Sequence, residues 1–123
     1  MSQFKEIFEA YGGNYDSTLG RFLGNESMYL RLLKMFFQDE NMGLLGAAIE
    51  NQEWRAAFEA AHTLKGVTGN MGLDPLYDAV CNIVEPLRLD DGQTDYAALY
   101  QIIRQEYEKV SQLYQQLTEG AGC

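Results

Sequence analysis

The sequence predicts an all-α protein, an antiparallel four-helix bundle with a short N-terminal capping helix. Three observations predict it. Apolar residues recur three and four positions apart nearly throughout, where strands would alternate every second residue. The chain has 123 residues, enough for one substantial core and too few for two comfortable ones, so residues 1–123 are expected to form one domain. Four long periodic segments are joined by short connections, which favours antiparallel neighbours.

The first helix fits Ser2 to Tyr11, with Phe4, Ile7 and Phe8 on one side and Gly12-Gly13 ending it. A short helical turn is expected after Asp16 or Ser17. Asn25 is a good N-cap for a long helix running to about Glu50, with Met28, Leu32, Met35 and Phe36, then Leu45, Ala48 and Ile49, at helical spacing. Gly43 and Gly46 each weaken it by roughly 1 kcal/mol relative to Ala, which leaves open a bend or break near Asn41 to Gly43. A third helix starts near Gln52 or Glu53 and reaches about Met71. Asp74-Pro75, an N-cap followed by proline at the first helical position, is the clearest start signal in the chain. The helix it opens carries Leu76, Val80, Ile83, Val84 and Leu87, and Pro86 should kink or end its last turn because it lacks an amide hydrogen. Asp90-Asp91-Gly92 is the expected loop. The last helix, about Thr94 to Thr118, is expected to bury Leu99, Ile102, Ile103, Val110, Leu113 and Leu117, with Tyr96, Tyr100, Tyr107 and Tyr114 beside them.

Composition removes several functions. With 18 acidic and 9 basic residues the formal net charge is -9, which disfavours nucleic acid and anionic membranes as partners. No apolar run approaches the roughly 20 residues needed to span a bilayer, and the first residues carry no basic segment followed by an apolar stretch. The expected location is cytoplasmic, and the initial methionine favours a free-standing protein over an excised segment. Cys81 and Cys123 are far apart without CxxC spacing, so neither a zinc site nor a disulfide framework is expected. One histidine, His62, excludes any site built from several imidazoles.

That histidine lies in the third helix, where Trp54, Ala57, Ala61, Leu64, Thr68 and Met71 make a continuous apolar seam. At about 100° per residue His62 sits roughly 130° from the centre of the seam and should face solvent. The positions one and two turns on are Gly66 and Gly69, each costing about 1 kcal/mol of helix stability against Ala. Bare backbone beside an imidazole would let another protein approach the ring nitrogen; close helix packing or a local bend is the alternative explanation. Gly72, near the helix end, fits a C-terminal cap or a tight crossing. Lys65, one turn after His62, is placed to reach a phosphoryl group on the ring as a point charge, or is simply a solvated surface lysine.

Ala61-His62-Thr63-Leu64-Lys65-Gly66, then five residues to Gly72-Leu73, resembles the HxLKG(x)5G signature of histidine-containing phosphotransfer (HPt) domains. Phe22-Leu23-Gly24-Asn25 and Asn51-Gln52-Glu53-Trp54 are similar to that family too, so the likeness covers roughly residues 17 to 90, with its motif region at 53–73. No signature marks the last helix. The resemblance implies a four-helix bundle with an exposed phosphate-accepting histidine in mid-helix. By position, it implies His62 as phosphoacceptor, Lys65 as supporting cation and Gly66 as the residue that clears space.

Phosphoryl transfer needs charge neutralisation over the equatorial oxygens, and the residues around His62 supply one lysine and no acidic triplet. The remaining parts, an aspartate acceptor and Mg²⁺, are therefore expected on a partner receiver domain, with no cofactor held by this chain. No GxxxxGK motif followed by Ser or Thr is present, so a carrier without autokinase activity is expected. Response-regulator receiver domains and a hybrid sensor histidine kinase are the expected partners of a monomer in a multi-step two-component phosphorelay. Phe58, one turn before His62, is the first candidate for a docking surface, with Phe37 and Met42 behind it, although apolar residues at helical spacing are more often ordinary core. Two other functional classes fit parts of the sequence. One is a non-catalytic helical adaptor binding through Tyr100, Tyr107 and Tyr114. The other is a hydrolase with His62 as general base, which needs a nucleophile that Thr63, Thr68 and Glu59 do not readily complete.

Overall fold

A computed structural model describes residues 3–89 and 94–122, with 120–122 described through their backbone alone. Expectations for Ser2, the Asp90-Asp91-Gly92 loop and Cys123 lie outside the described residues. Seven helices occupy the described chain: α1 Gln3–Tyr11, α2 Tyr15–Gly20, α3 Glu26–Phe36, α4 Asn41–Glu50, α5 Trp54–Asn70, α6 Asp74–Leu89 and α7 Tyr96–Gly122. No strand occurs among the described residues. The four arms of the bundle are α3 with α4, then α5, α6 and α7. α5 packs between α4 and α6, α6 packs on α7, and α7 closes the ring against α3 and α4. Helix α1 caps the bundle by lying on α7. No helix among the described residues is long and apolar enough to cross a membrane.

The second predicted helix is two helices, and its break precedes the glycines. After Phe36 the chain tightens to three-residue bonds, with the amides of Phe37, Gln38 and Asp39 donating to the carbonyls of Lys34, Met35 and Phe36. The Asp39 carboxylate then accepts from the backbone N and the side-chain Nδ2 of Asn41, both at 2.7 Å, and so offers the backbone an alternative to the helical ladder.

The inward face of α3 also differs from the predicted one. Met28 and Met35 are 40% and 56% exposed, while Tyr29, Leu33 and Phe36 are buried. An aromatic cluster decides the rotation. The Tyr29 ring meets Phe4, Phe8 and Phe22 edge-on at 6.1, 5.7 and 5.4 Å, and its hydroxyl donates to the Met71 carbonyl at 2.7 Å. In α7, Tyr96, Ile103, Val110 and Leu117 share a seven-residue period with Leu113 beside them, and all five are buried. Ile102 lies one position off that line and is 46% exposed, and Leu99 is half-buried, against the expectation that both would be core. Pro86 does not end α6, which runs on to Leu89. The carbonyl that loses its helical partner belongs to Asn82, which is exposed, and the Pro86 carbonyl accepts from the Tyr96 hydroxyl at 3.0 Å.

Burial raises the hydroxyl pKa of both Tyr11 and Tyr29 above the ordinary tyrosine value. Each group stays protonated in the fold at a pH where the unfolded chain has lost the proton. The stability it confers is complete below the unfolded value near 10 and declines as pH rises beyond it. Urea titrations at rising pH above 10 should show unfolding free energy falling by about 1.4 kcal/mol per pH unit for each such tyrosine. A flat profile up to pH 11.5 would contradict that burial.

Candidate functional site

Helix α5 carries the site, and its far end is fixed by a left-handed turn. The Gly72 amide donates to the Gly69 carbonyl at 3.2 Å and the Leu73 amide to the Thr68 carbonyl at 3.0 Å, with Gly72 at φ +68°. This is the Schellman arrangement, which satisfies carbonyls that the helix leaves open and requires a residue tolerant of positive φ. The seam faces inward as expected: Ala57, Ala61, Leu64, Thr68 and Met71 are buried and Trp54 is half-buried. His62, on the other side, is exposed.

His62 borders an open cleft of about 480 Å³ lined by Arg21, His62, Lys65, Gly66, Gly69, Asn70 and Tyr77. Two cations and no carboxylate line it, in a chain whose formal net charge is -9. Helix side chains lean back toward the N-terminus, so a side chain at position 66 would lie over the turn that bears His62. A Cβ on Gly66 would meet nothing within 4 Å beyond its chain neighbours and the backbone of its own helix, so that flank of the imidazole is open. Gly69 differs. A Cβ there would come within 3.0 Å of Tyr77 Cε1 and 3.2 Å of Cδ1, so the missing side chain makes room for a ring of α6 and not for a visitor. Close helix packing, the alternative weighed for these glycines, is what Gly69 does.

On the N-terminal side of His62 the Phe58 ring lies 5.7 Å away at a 39° tilt. Phe58 is half-buried and forms, with Trp54, Arg55, Glu59, Leu87 and Arg88, a second groove of about 370 Å³. Phe37 and Met42 border neither cavity. The Phe37 ring packs on Tyr107 and Tyr114 at 5.8 and 5.5 Å, and the Met42 carbonyl accepts from the Tyr100 hydroxyl at 2.8 Å. The same contacts place the three tyrosines, each half-buried, at the boundary of the α3, α4 and α7 core.

The groups that a hydrolase at His62 would draw on are engaged within α5 itself. The Thr63 hydroxyl donates to the Glu59 carbonyl at 3.0 Å and the Thr68 hydroxyl to the Leu64 carbonyl at 2.8 Å, while the Glu59 carboxylate pairs with Arg55 at 3.4 Å. Among the described residues no group of three or more His, Cys, Asp or Glu side chains could hold a metal ion.

Arg21 is the residue that sequence reasoning missed. Its Nη1 donates to the carbonyls of Gly69 and Asn70 at 3.2 and 2.8 Å, tying the α2–α3 turn to the end of α5 and bringing a second cation to the cleft. Those contacts span 48 and 49 positions, and no local pattern announces them.

A family model described as the Hpt domain matches residues 31–118, more than half of the chain. The chain belongs to the Hpt domain family. No curated protein and no solved structure matches it significantly. The match runs through α7 to Thr118, so the last helix, which carries no motif, is part of the Hpt domain too. Membership places the chain among the phosphocarriers of two-component signalling, which work with receiver domains and are carriers rather than enzymes.

Proposed function

We propose that this Hpt domain is the histidine phosphotransfer intermediate of a multi-step phosphorelay, with His62 as phosphoacceptor. The observation that supports it is an exposed imidazole at the edge of a cationic cleft, beside a glycine whose missing side chain leaves the ring open. In the accepting direction a neutral ring nitrogen attacks the phosphorus of a phospho-aspartate on a receiver. An N–P bond forms as the aspartyl O–P bond breaks, and the carboxylate leaves. Donation to another receiver is the same exchange reversed.

Lys65 sits one turn on and lines the same cleft, where its ammonium offsets charge on the phosphoryl oxygens. Arg21 contributes to the field at the far end. Gly66 supplies clearance and Phe58 forms the edge of the docking surface. The receiver supplies the aspartate and Mg²⁺, so the Hpt domain needs no cofactor of its own and has no autokinase activity. A hybrid sensor kinase upstream, a monomeric state, a cytoplasmic setting and one domain over residues 1–123 complete the reading.

The test is incubation with a panel of phosphorylated receivers and Mg²⁺, followed by analysis of phosphate on the chain. Wild type should acquire acid-labile, base-stable phosphate, and His62→Gln should acquire none. Label that persists on the variant overturns the assignment.

A further inference from the structure

Resting on His62 as phosphoacceptor, we propose that Phe58 is a positioning residue which, braced by Arg88, holds the imidazole in one orientation before any partner arrives. An exposed histidine on a helix ordinarily exchanges between rotamers. Two χ1 wells are open to it, because the third clashes with the preceding turn, and the ring has about two orientations about χ2. Transfer uses one arrangement of these.

The restraint comes from a ring and not from a hydrogen bond. No group among the described residues hydrogen-bonds the imidazole, whereas the Phe58 ring lies 5.7 Å from it at a 39° tilt. The two residues are four apart, and the backward lean of helix side chains carries the His62 ring onto the turn that bears Phe58. Phe58 is itself restrained. It is half-buried and packs against the core cluster, and the Arg88 guanidinium carbon lies 5.8 Å from its ring centroid. Arg88 in turn pairs with Glu85 at 3.3 Å on the same helix. Support therefore runs from α6 through Phe58 to His62, while the flank toward Gly66 is bare. A nucleophile held on one side and open on the other is preorganised for a docking partner.

Holding one of about four orientations raises the rate by up to about fourfold. His62 is the only histidine, so its imidazole resonances are unambiguous in NMR of the full chain. In wild type the side-chain couplings should report one χ1 rotamer, and the ring protons should be displaced from their positions in urea by the Phe58 ring current. Phe58→Leu should give averaged couplings, return the shifts toward the urea values, and slow phosphorylation by phosphoramidate, a small donor that needs no partner and releases ammonia, by up to about fourfold. Phe58→Tyr, which keeps the ring, should restore all three.

With a receiver as donor, the maximal rate should fall by the same factor as the phosphoramidate rate, whatever change in half-saturating receiver concentration the place of Phe58 at the docking edge adds. Averaged couplings in wild type, unchanged imidazole shifts in Phe58→Leu, or a loss confined to half-saturation each overturn the proposal. The NMR and phosphoramidate arms involve no receiver, so their failure is distinct from failure of the relay.

Discussion

Gly66→Leu should yield a protein more stable than wild type that scarcely passes phosphate to or from a receiver. Glycine costs about 1 kcal/mol in a helix interior relative to Ala, and leucine recovers most of that. Nothing opposes the gain, since a Cβ at position 66 meets no neighbouring atom within 4 Å. The leucine side chain would lean toward the preceding turn and cover the approach to His62. In-line transfer brings the reacting atoms to about 3–3.5 Å, and a displacement near 1 Å can cost about 100-fold, so receiver-dependent transfer should fall by about that factor or more. Thermal melts and transfer kinetics on one preparation check both halves. Phosphoramidate, small enough to pass beside a leucine, should be slowed far less. An unchanged receiver rate removes the clearance role of Gly66, and a lowered melting temperature removes the claim of open space.

The residues whose placement was legible in the sequence are those whose surroundings are local. The seam from Trp54 to Met71 fixes the outward angle of His62 because both belong to one helix, and Gly72 ends that helix by a bond pattern spanning six residues. Asp74-Pro75 opens α6 within one residue of the expected place. Where the deciding partner sits on another helix, the local pattern misleads. The methionines of α3 looked like core, but a tyrosine bonded to Met71 and enclosed by three phenylalanine rings sets the buried face. Gly69 looked like Gly66, because only the register of α5 against α6 puts Tyr77 opposite the one and nothing opposite the other. Phe37 and Met42 had the composition of a docking patch, yet α7 lies against them. Arg21 had no signal at all, since its guanidinium acts on carbonyls nearly fifty positions away.

Gly72→Ala should be among the most destabilising single-methyl additions this fold can receive, and its cost should divide into two measurable parts. At φ +68° a Cβ strains the backbone by about 1–2 kcal/mol. The added atom would also collide with the Thr18 hydroxyl and come within 2.7 Å of Thr18 Cγ2 and 2.9 Å of its Cβ. Thr18 is buried, so α2 has to shift, and overpacking of this kind costs about 1–3 kcal/mol. Together these predict a loss of about 2–5 kcal/mol and a fall in melting temperature of about 10 °C or more. Thr18→Ala in the same chain deletes the hydroxyl and the methyl group but leaves the dihedral strain. The double variant should therefore recover part of the loss, with a coupling of about 1 kcal/mol or more in a double-mutant cycle. Additive effects would mean that α2 does not press on the end of α5. The consequence for function is specific, because α2 leads directly into Arg21, and Arg21 reaches the cleft only while its Nη1 holds the carbonyls of Gly69 and Asn70. Below its lowered melting temperature, Gly72→Ala should leave phosphoramidate labelling of His62 near the wild-type rate while receiver-dependent transfer becomes slower and less sensitive to salt, as a cation is lost from the docking face.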